Sequence, residues 1–206
     1  MKLSTAGMLD ILSHEGICLE PYLDSVGVWT IGAGQTKSDG FDPRTAGTLT
    51  IPQVFALFQS KIKAYTDAVD ALKLNLTQHQ YDALTSCCYN FGPGNLRTLC
   101  RNRTIPQIGE AIMLYTKPPE ITARRFKEQT LFKTGKYSNV SGKVLVFPVV
   151  NSKPRYGKGY LVDARQYLGA VKAPVSPAVA PAAPPVKPSF LSSLFASIKA
   201  AFTRKK

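Results

Sequence analysis

Residues 15–36 read EGICLEPYLDSVGVWTIGAGQT, and this stretch determines the local architecture around which the rest of the chain is interpreted. It begins with a glutamate followed by a glycine, the arrangement expected where a helix ends. Alternating apolar and polar residues, interrupted by glycines, then predict a short antiparallel hairpin or small sheet over residues 21–34. The stretch therefore predicts a junction between a helix and a β-rich lobe.

Helical patterns flank the predicted hairpin on both sides. Ser4 is the expected cap of a first helix that Gly16 ends. Downstream, the spacing of apolar residues predicts helices over residues 52–73, 77–91, 95–101, 105–115 and 122–134, and a short helix over 160–168. A strand is predicted over residues 143–150, and Pro148 confines it to an edge or irregular position. A small hairpin lobe followed by a larger helical lobe is an α+β fold.

Two carboxyl groups and a hydroxyl stand close together in the opening stretch: Glu15, Asp24 and Thr30. Cleavage of a glycosidic bond uses two carboxyl groups in different environments. One is protonated and donates to the leaving oxygen, and the other is ionised and activates water or carries the sugar. Glu15 suits the first task, because the negative end of a helix dipole and partial burial both disfavour its ionisation.

Asp24 and Thr30 suit the second task if the hairpin turn occupies residues 25–27. Asp24 then lies opposite Val28, and Thr30 lies two residues further along on the same face. A carboxylate and a hydroxyl that point together can hold a water molecule, whereas a carboxylate alone can act as a nucleophile. The residues themselves leave both routes open.

The same stretch resembles the active-site signature of phage-type lysozymes, the endolysins of glycoside hydrolase family 24. Their pattern runs Glu-Gly, then Tyr-x-Asp-x-x-Gly, then Thr-x-Gly-x-Gly-His-Thr. The resemblance implies a lysozyme-like fold and hydrolysis of the β-1,4 bond between N-acetylmuramic acid and N-acetylglucosamine in bacterial peptidoglycan. It also implies that Glu15 is the general acid, that Asp24 is the second catalytic residue, and that Thr30 helps to place the water in an inverting reaction.

Two further segments, ALTSCCYNFGPGNLRTL and RRFKEQTLFKTGKY, resemble the central and closing helices of that family, so the similarity covers about residues 4–137. It implies that five residues bind the substrate in the cleft: Tyr22, Thr36, Tyr89, Asn90 and Arg124. Of these, Arg124 is implied to approach Glu15. One position departs from the family, because Gln35 stands where a His is usual. Glutamine forms hydrogen bonds but does not titrate, so a pH dependence that such a His confers is not implied here.

Composition divides the chain into four parts. Residues 1–137 are expected to form the lysozyme-like catalytic domain, and residues 138–172 a basic extension to which no role is assigned. Residues 173–188, APVSPAVAPAAPPVKP, predict a Pro/Ala-rich linker. Residues 189–206 then predict a cationic amphipathic helix with a narrow apolar stripe.

The formal net charge of +13 is unevenly distributed. Residues 1–136 carry 15 Lys and Arg against 12 Asp and Glu, whereas residues 137–206 carry 11 against 1. Such a tail predicts an anionic polymer or surface as a partner. The stripe and basic end of residues 189–206 favour an anionic membrane or lipopolysaccharide over nucleic acid, with docking back onto the enzyme or a disordered tail as the alternatives.

Neither a metal nor another cofactor is expected. His14 and His79 stand far apart, no His, Cys or carboxylate cluster has metal-ligand spacing, and no phosphate-cradling loop is present. The four cysteines, at positions 18, 87, 88 and 100, are expected to be buried reduced thiols of a protein made in a reducing cytosol. Because MKLSTAGMLDILSHEG contains no apolar run suited to a signal peptide, the resemblance implies a holin-type pore that releases a monomeric enzyme from the host cytoplasm to the cell wall.

Two other functions fit parts of the pattern. A lytic transglycosylase or chitinase on the same fold shares the acid, but a transglycosylase uses no water, and the presence of Asp24 and Thr30 argues against it. A non-enzymatic antimicrobial protein would instead use its cationic tail to permeabilise membranes, with the globular part binding the wall. Products of wall digestion distinguish the first rival, and loss of activity in a Glu15 variant distinguishes the second.

Overall fold

The computed structural model describes residues 1–168, which form a small mixed sheet and a helical lobe. The helices are α1 (Thr5–Glu15), α2 (Ile51–Asp70), α3 (Gln78–Cys100), α4 (Ile105–Ala111), α5 (Thr122–Thr134) and α6 (Arg165–Leu168). The strands are β1 (Ile17–Leu23), β2 (Trp29–Gly32), β3 (Gln35–Thr36), β4 (Lys143–Phe147), β5 (Val149–Val150), β6 (Lys153–Pro154) and β7 (Tyr160–Asp163). The expected linker at 173–188 and helix at 189–206 lie outside the described residues.

Helix α1 has the ends that its sequence predicts. The Ser4 side chain accepts a hydrogen bond from the Gly7 N–H at 3.0 Å and so caps the first turn. Gly16 ends the helix with a φ of 71°, a positive value that glycine adopts without the steric cost other residues incur. Because β1 begins at the next residue, Glu15 is fixed at the boundary between helix and sheet.

The main sheet has the strand order β3-β2-β1-β4-β7. Strands β1 and β2 form the predicted antiparallel hairpin, and β3 continues it. Strand β4 pairs in parallel with β1, with Ile17 opposite Val146 and Cys18 opposite Phe147. The extension that follows residue 137 therefore contributes two strands to the sheet that carries the signature stretch.

The expected helix over residues 160–168 is wrong in its first half. Residues Tyr160–Asp163 form β7, which pairs with β4 so that Val162 lies opposite Val144, and only Arg165–Leu168 are helical. The backbone bonds and partial burial gained against β4 outweigh the local helical spacing. Strand β4 itself is interior, and it ends at Phe147, so Pro148 falls outside its ladder.

The helical lobe is organised around α3, whose residues 81–92 are all buried. Gly92, with a φ of 85°, breaks this helix at the predicted position, and the chain continues helically from Pro93. Helices α2 and α5 pack against α3, and all four cysteines are buried and free, as expected. Among the helices described here, none is both long enough and apolar enough to cross a membrane.

Candidate active site

Glu15 is enclosed at the end of α1, with only 1% of its surface exposed. Its Oε1 accepts a hydrogen bond from Nη1 of Arg124 at 2.6 Å. Its Oε2 is buried and has no hydrogen-bond partner within residues 1–168. Leaving a buried polar atom unpaired costs about 1–3 kcal/mol, so Oε2 marks a position suited to a ligand group or a water molecule.

Arg124 on α5 joins Glu15 to a buried network of charges. Its Nε donates to Oε1 of Glu128 at 2.9 Å, and its Nη2 donates to the carbonyl oxygen of Ser86 at 3.3 Å. The second oxygen of Glu128 lies 2.7 Å from Nη1 of Arg125. The contact between Arg124 and Glu15 that the resemblance implies is therefore present, and it connects the first and last long helices.

Asp24 lies at the tip of the β1–β2 hairpin and is partly exposed. The Asp24 N–H donates to the carbonyl oxygen of Val28 at 3.0 Å, which places these residues opposite each other as predicted. Its Oδ1 accepts hydrogen bonds from the N–H groups of Val26 and Val28 at 3.0 and 2.8 Å. The turn thus holds one carboxylate oxygen with two amides, and within residues 1–168 the other oxygen accepts no hydrogen bond.

Thr30 lies at the centre of a row of three hydroxyl-bearing residues across the sheet. It is opposite Tyr22 on β1 and opposite Thr36 on β3, and directly opposed residues share a face of the sheet. The Thr30 side chain is fully buried, and its hydroxyl donates to the carbonyl oxygen of Val28 at 3.1 Å. Its oxygen keeps the capacity to accept a hydrogen bond, for example from water.

Tyr22 is the member of this row that lies on β1, opposite Thr30. It is 1% exposed and packs with Cys18 and Phe147. Burial raises the pKa of the Tyr22 phenol well above its usual value, and nearby groups, including Glu15 and Asp24, raise it further. The phenol consequently stays neutral.

Tyr89 and Asn90 are neighbouring buried residues of α3. The Tyr89 hydroxyl donates to the carbonyl oxygen of Ala33 at 2.7 Å and thereby connects α3 to the turn between β2 and β3. Asn90 is 4% exposed and accepts a hydrogen bond from Nη2 of Arg125. Both side chains are buried, whereas Thr36 is half-exposed and lies within 2.7 Å of the Ser38 hydroxyl oxygen.

Comparison with known proteins identifies the family of this fold and site. The model of the family described as "Phage lysozyme" matches residues 12–116, which include the whole signature stretch. This chain belongs to the phage lysozyme family. It is therefore a glycoside hydrolase with a lysozyme-like α+β fold, which favours an enzyme over a purely membrane-permeabilising protein.

Individual relatives agree with this assignment. The endolysin of Salmonella phage P22 is 32% identical over 143 residues, covering 64% of this chain and 98% of the relative. The endolysin of Bacillus phage PZA is 32% identical over 155 residues, or 68% of this chain, and the match spans only 58% of that relative's length. The solved endolysin of Escherichia coli O157:H7 phage FAHEc1 superposes with a TM-score of 0.61 at 26% identity, covering 68% of this chain and 98% of that one.

Gln35 is a buried residue that does not titrate. It is 1% exposed, and its Oε1 accepts a hydrogen bond from the Ala33 N–H at 2.8 Å. A Cβ atom on Gly32 would lie 2.4 Å from the same oxygen, and Gly32 has a φ of 66°. The amide of Gln35 therefore stabilises the tight turn that carries the row of hydroxyls.

Within the described part of the chain, no group of three or more His, Cys, Asp or Glu side chains is placed to hold a metal ion.

The sequence pattern does not single out two residues whose contacts lie beside the candidate site. Glu128 is one, although its i, i+4 spacing from Arg124 on a helix was a usable signal. Lys61 is the other: its Nζ donates to the Gly34 carbonyl oxygen at 2.7 Å and lies 2.9 Å from Asp39 Oδ2. Nothing local to Lys61 indicates this contact, because its partners lie 22 and 27 residues away along the chain.

Proposed function

We propose that this lysozyme hydrolyses the β-1,4 bond between N-acetylmuramic acid and N-acetylglucosamine in peptidoglycan, and that the reaction lyses the host cell. The observation that carries the proposal is a pair of carboxyl groups in unlike surroundings. Glu15 is enclosed with one unpaired oxygen, whereas Asp24 is partly exposed and held by backbone amides. Unlike surroundings are what separates an acid from a base or nucleophile in glycosidases.

The geometry supports a division of labour between the two carboxyl groups. Oε1 of Glu15 is held by Arg124, so Oε2 is the atom that donates a proton to the glycosidic oxygen as the bond breaks. The unoccupied oxygen of Asp24, together with the Thr30 hydroxyl oxygen, holds the water that attacks the anomeric carbon. The proton lost by that water passes to Asp24, which balances the proton that Glu15 gives up.

The remaining site residues are proposed to bind and support the substrate. Thr36 is half-exposed on the hairpin and suits direct contact with the glycan. Tyr22, Tyr89, Asn90 and Arg124 are buried, and they act on the substrate by holding the residues that meet it. The enzyme is proposed to act as a monomer.

The products of digestion test the reaction class. Purified peptidoglycan treated with the full-length enzyme should release muropeptides with reducing N-acetylmuramic acid ends, because water is the attacking group. Mass spectrometry distinguishes these from 1,6-anhydro ends, which are lighter by one water. Predominantly anhydro ends would show a lytic transglycosylase, and cleavage of chitin oligomers in preference to peptidoglycan would show a chitinase.

The cationic tail is proposed to bring the enzyme to an anionic membrane or to lipopolysaccharide. The charge excess beyond residue 137 and the apolar stripe of residues 189–206 support this role. The enzyme is proposed to be made in the host cytoplasm, which suits four buried free thiols, and to reach the wall after holin-type release.

Removal of residues 171–206 tests the tail. We expect unchanged activity on purified peptidoglycan, and killing of intact Gram-negative cells lowered by about tenfold or more, since each Lys or Arg near an anionic surface contributes about 1 kcal/mol. A full-length control in which Arg204, Lys205 and Lys206 are replaced by Gln keeps the length and removes charge, and it should lose killing in the same direction. Equal killing by all three proteins would refute a membrane role.

A further inference from the structure

The segment after residue 137 is built into the catalytic lobe from its first residues. Both oxygens of the buried Asp10 on α1 accept hydrogen bonds from this segment, including one from the Asn139 N–H at 2.6 Å. The Asn139 side chain donates in turn to the carbonyl oxygens of Leu9 and Lys143, at 3.2 and 3.1 Å. This junction fixes the start of β4 relative to the helix that ends in Glu15.

From that junction, β4 runs parallel to β1 and leads to a short hairpin near Asp24. The hairpin consists of β5 and β6, with Val150 opposite Lys153. Its tip reaches β1, where the N–H of Leu23, the residue just before Asp24, donates to the carbonyl oxygen of Ser152 at 2.9 Å. The last backbone donor of β1 is thus satisfied by the extension.

The hairpin tip is a tight turn in which Asn151 readily adopts a positive φ and Ser152 does so less readily. Asn151 and Ser152 have φ values of 51° and 56°, as a two-residue turn with positive φ at both central positions requires. Serine adopts this region rarely, and the strain persists only where surrounding contacts determine it. The carbonyl of Ser152, the less favourable of the two residues in this turn, is the one that accepts the hydrogen bond from Leu23.

Tyr156 packs against the cluster formed by Cys18, Tyr22 and Phe147. It follows the hairpin in the single 3-10 turn Tyr156–Lys158, and its ring packs edge-on against Phe147 with centroids 5.3 Å apart. Phe147 belongs to the cluster that contains Tyr22 and Cys18. Burial raises the pKa of the Tyr156 phenol to about 12, and Cys18 and Asp24 raise it to a smaller extent.

We propose that Tyr156 and the Val149–Pro154 hairpin position Asp24 for catalysis, by fixing the end of β1 from which Asp24 emerges. Tyr156 is a positioning residue that acts through its packing against the cluster of Cys18, Tyr22 and Phe147, and the hairpin acts through the Leu23–Ser152 hydrogen bond. The proposal rests on the catalytic role of Asp24 proposed above. The family model matches residues 12–116 and so assigns nothing to this segment.

A double-mutant cycle tests the inference. In the full-length enzyme, Tyr156→Ala should lower kcat on purified peptidoglycan by about tenfold with little change in KM, because small displacements of a catalytic group cost rate rather than binding. In an Asp24→Asn background the same change should have almost no further effect on kcat, since the group it positions has been removed. A general loss of structure would instead lower kcat by the same factor in both backgrounds.

Two controls keep the cycle interpretable. Tyr115→Ala removes a comparable half-buried tyrosine, packed 4.7 Å from Phe91 in the helical lobe, and should leave kcat unchanged. Tyr156→Leu, which preserves apolar volume, replaces Tyr156→Ala if the latter does not fold, and hydrogen exchange should then show a less protected Leu23 N–H. Equal effects of Tyr156→Ala with and without the Asp24 carboxylate, or unchanged kcat, would overturn the proposal. Full activity of Asp24→Asn alone would instead overturn the catalytic role of Asp24.

Discussion

Glu15→Gln should lower the cleavage of purified peptidoglycan by about 10²–10⁴-fold, the usual contribution of a general acid. Glutamine has nearly the same shape as glutamate but carries no transferable proton, so Oε2 loses its proposed function while the packing is kept. Stability should change little, because Arg124 keeps its 2.9 Å contact with Glu128. The measurements are release of soluble muropeptides and the thermal midpoint.

The control for this experiment is a glutamate with no part in the site. Glu110→Gln breaks an exposed ion pair with Lys133 at 2.7 Å, and exposed pairs contribute little. This variant should retain wild-type activity. If Glu15→Gln were to cleave peptidoglycan at a rate within a factor of about two of the wild type, Glu15 would not be the acid.

Arg124→Met should lower the free energy of unfolding by about 3–5 kcal/mol, the typical cost of removing one partner from a buried ion pair. Arg124 is 3% exposed, and it supplies the only hydrogen bond that Glu15 accepts within residues 1–168. Without it, the Glu15 carboxylate is left in an enclosed site with no compensating charge in contact. Urea denaturation measures the loss.

A second substitution identifies the source of that loss. In the double variant Arg124→Met/Glu15→Gln, part of the lost stability should return, because the buried negative charge has been removed. Arg44→Met removes an arginine from an exposed pair with Asp42 and should leave the unfolding curve unchanged. A double variant less stable than Arg124→Met alone would contradict the electrostatic explanation.

The parts of the fold that were predicted correctly depend on signals close together in sequence. The cap at Ser4, the stop at Gly16 and the pairing of Asp24 with Val28 each involve residues within a few positions of one another. Contacts between distant segments are different. The approach of Arg124 to Glu15 was expected only through the family resemblance, because 109 residues separate them and no local pattern encodes the contact.

The failures share the same physical cause. The residues of β7 have spacing that also suits a helix, and only the presence of β4 makes a strand the better choice. The parallel pairing of Ile17 with Val146 is not predicted by any turn residues, because parallel strands are not joined by a tight hairpin. Lys61 and Glu128 join the site through contacts that exist only once the helices have packed against the sheet.

The position of β1 in the middle of the sheet limits how this enzyme can be shortened for use as an antibacterial reagent. A minimal version that stops at residue 137 would retain the whole family-matched region, yet it would uncover the β1 edge that β4 occupies and the apolar sides of Cys18 and Tyr22. Open strand edges beside apolar surface promote aggregation between copies. A unit for digesting purified peptidoglycan therefore needs β4 and β7 as well as the family-matched region, whereas killing of intact cells is expected to need residues 171–206 in addition.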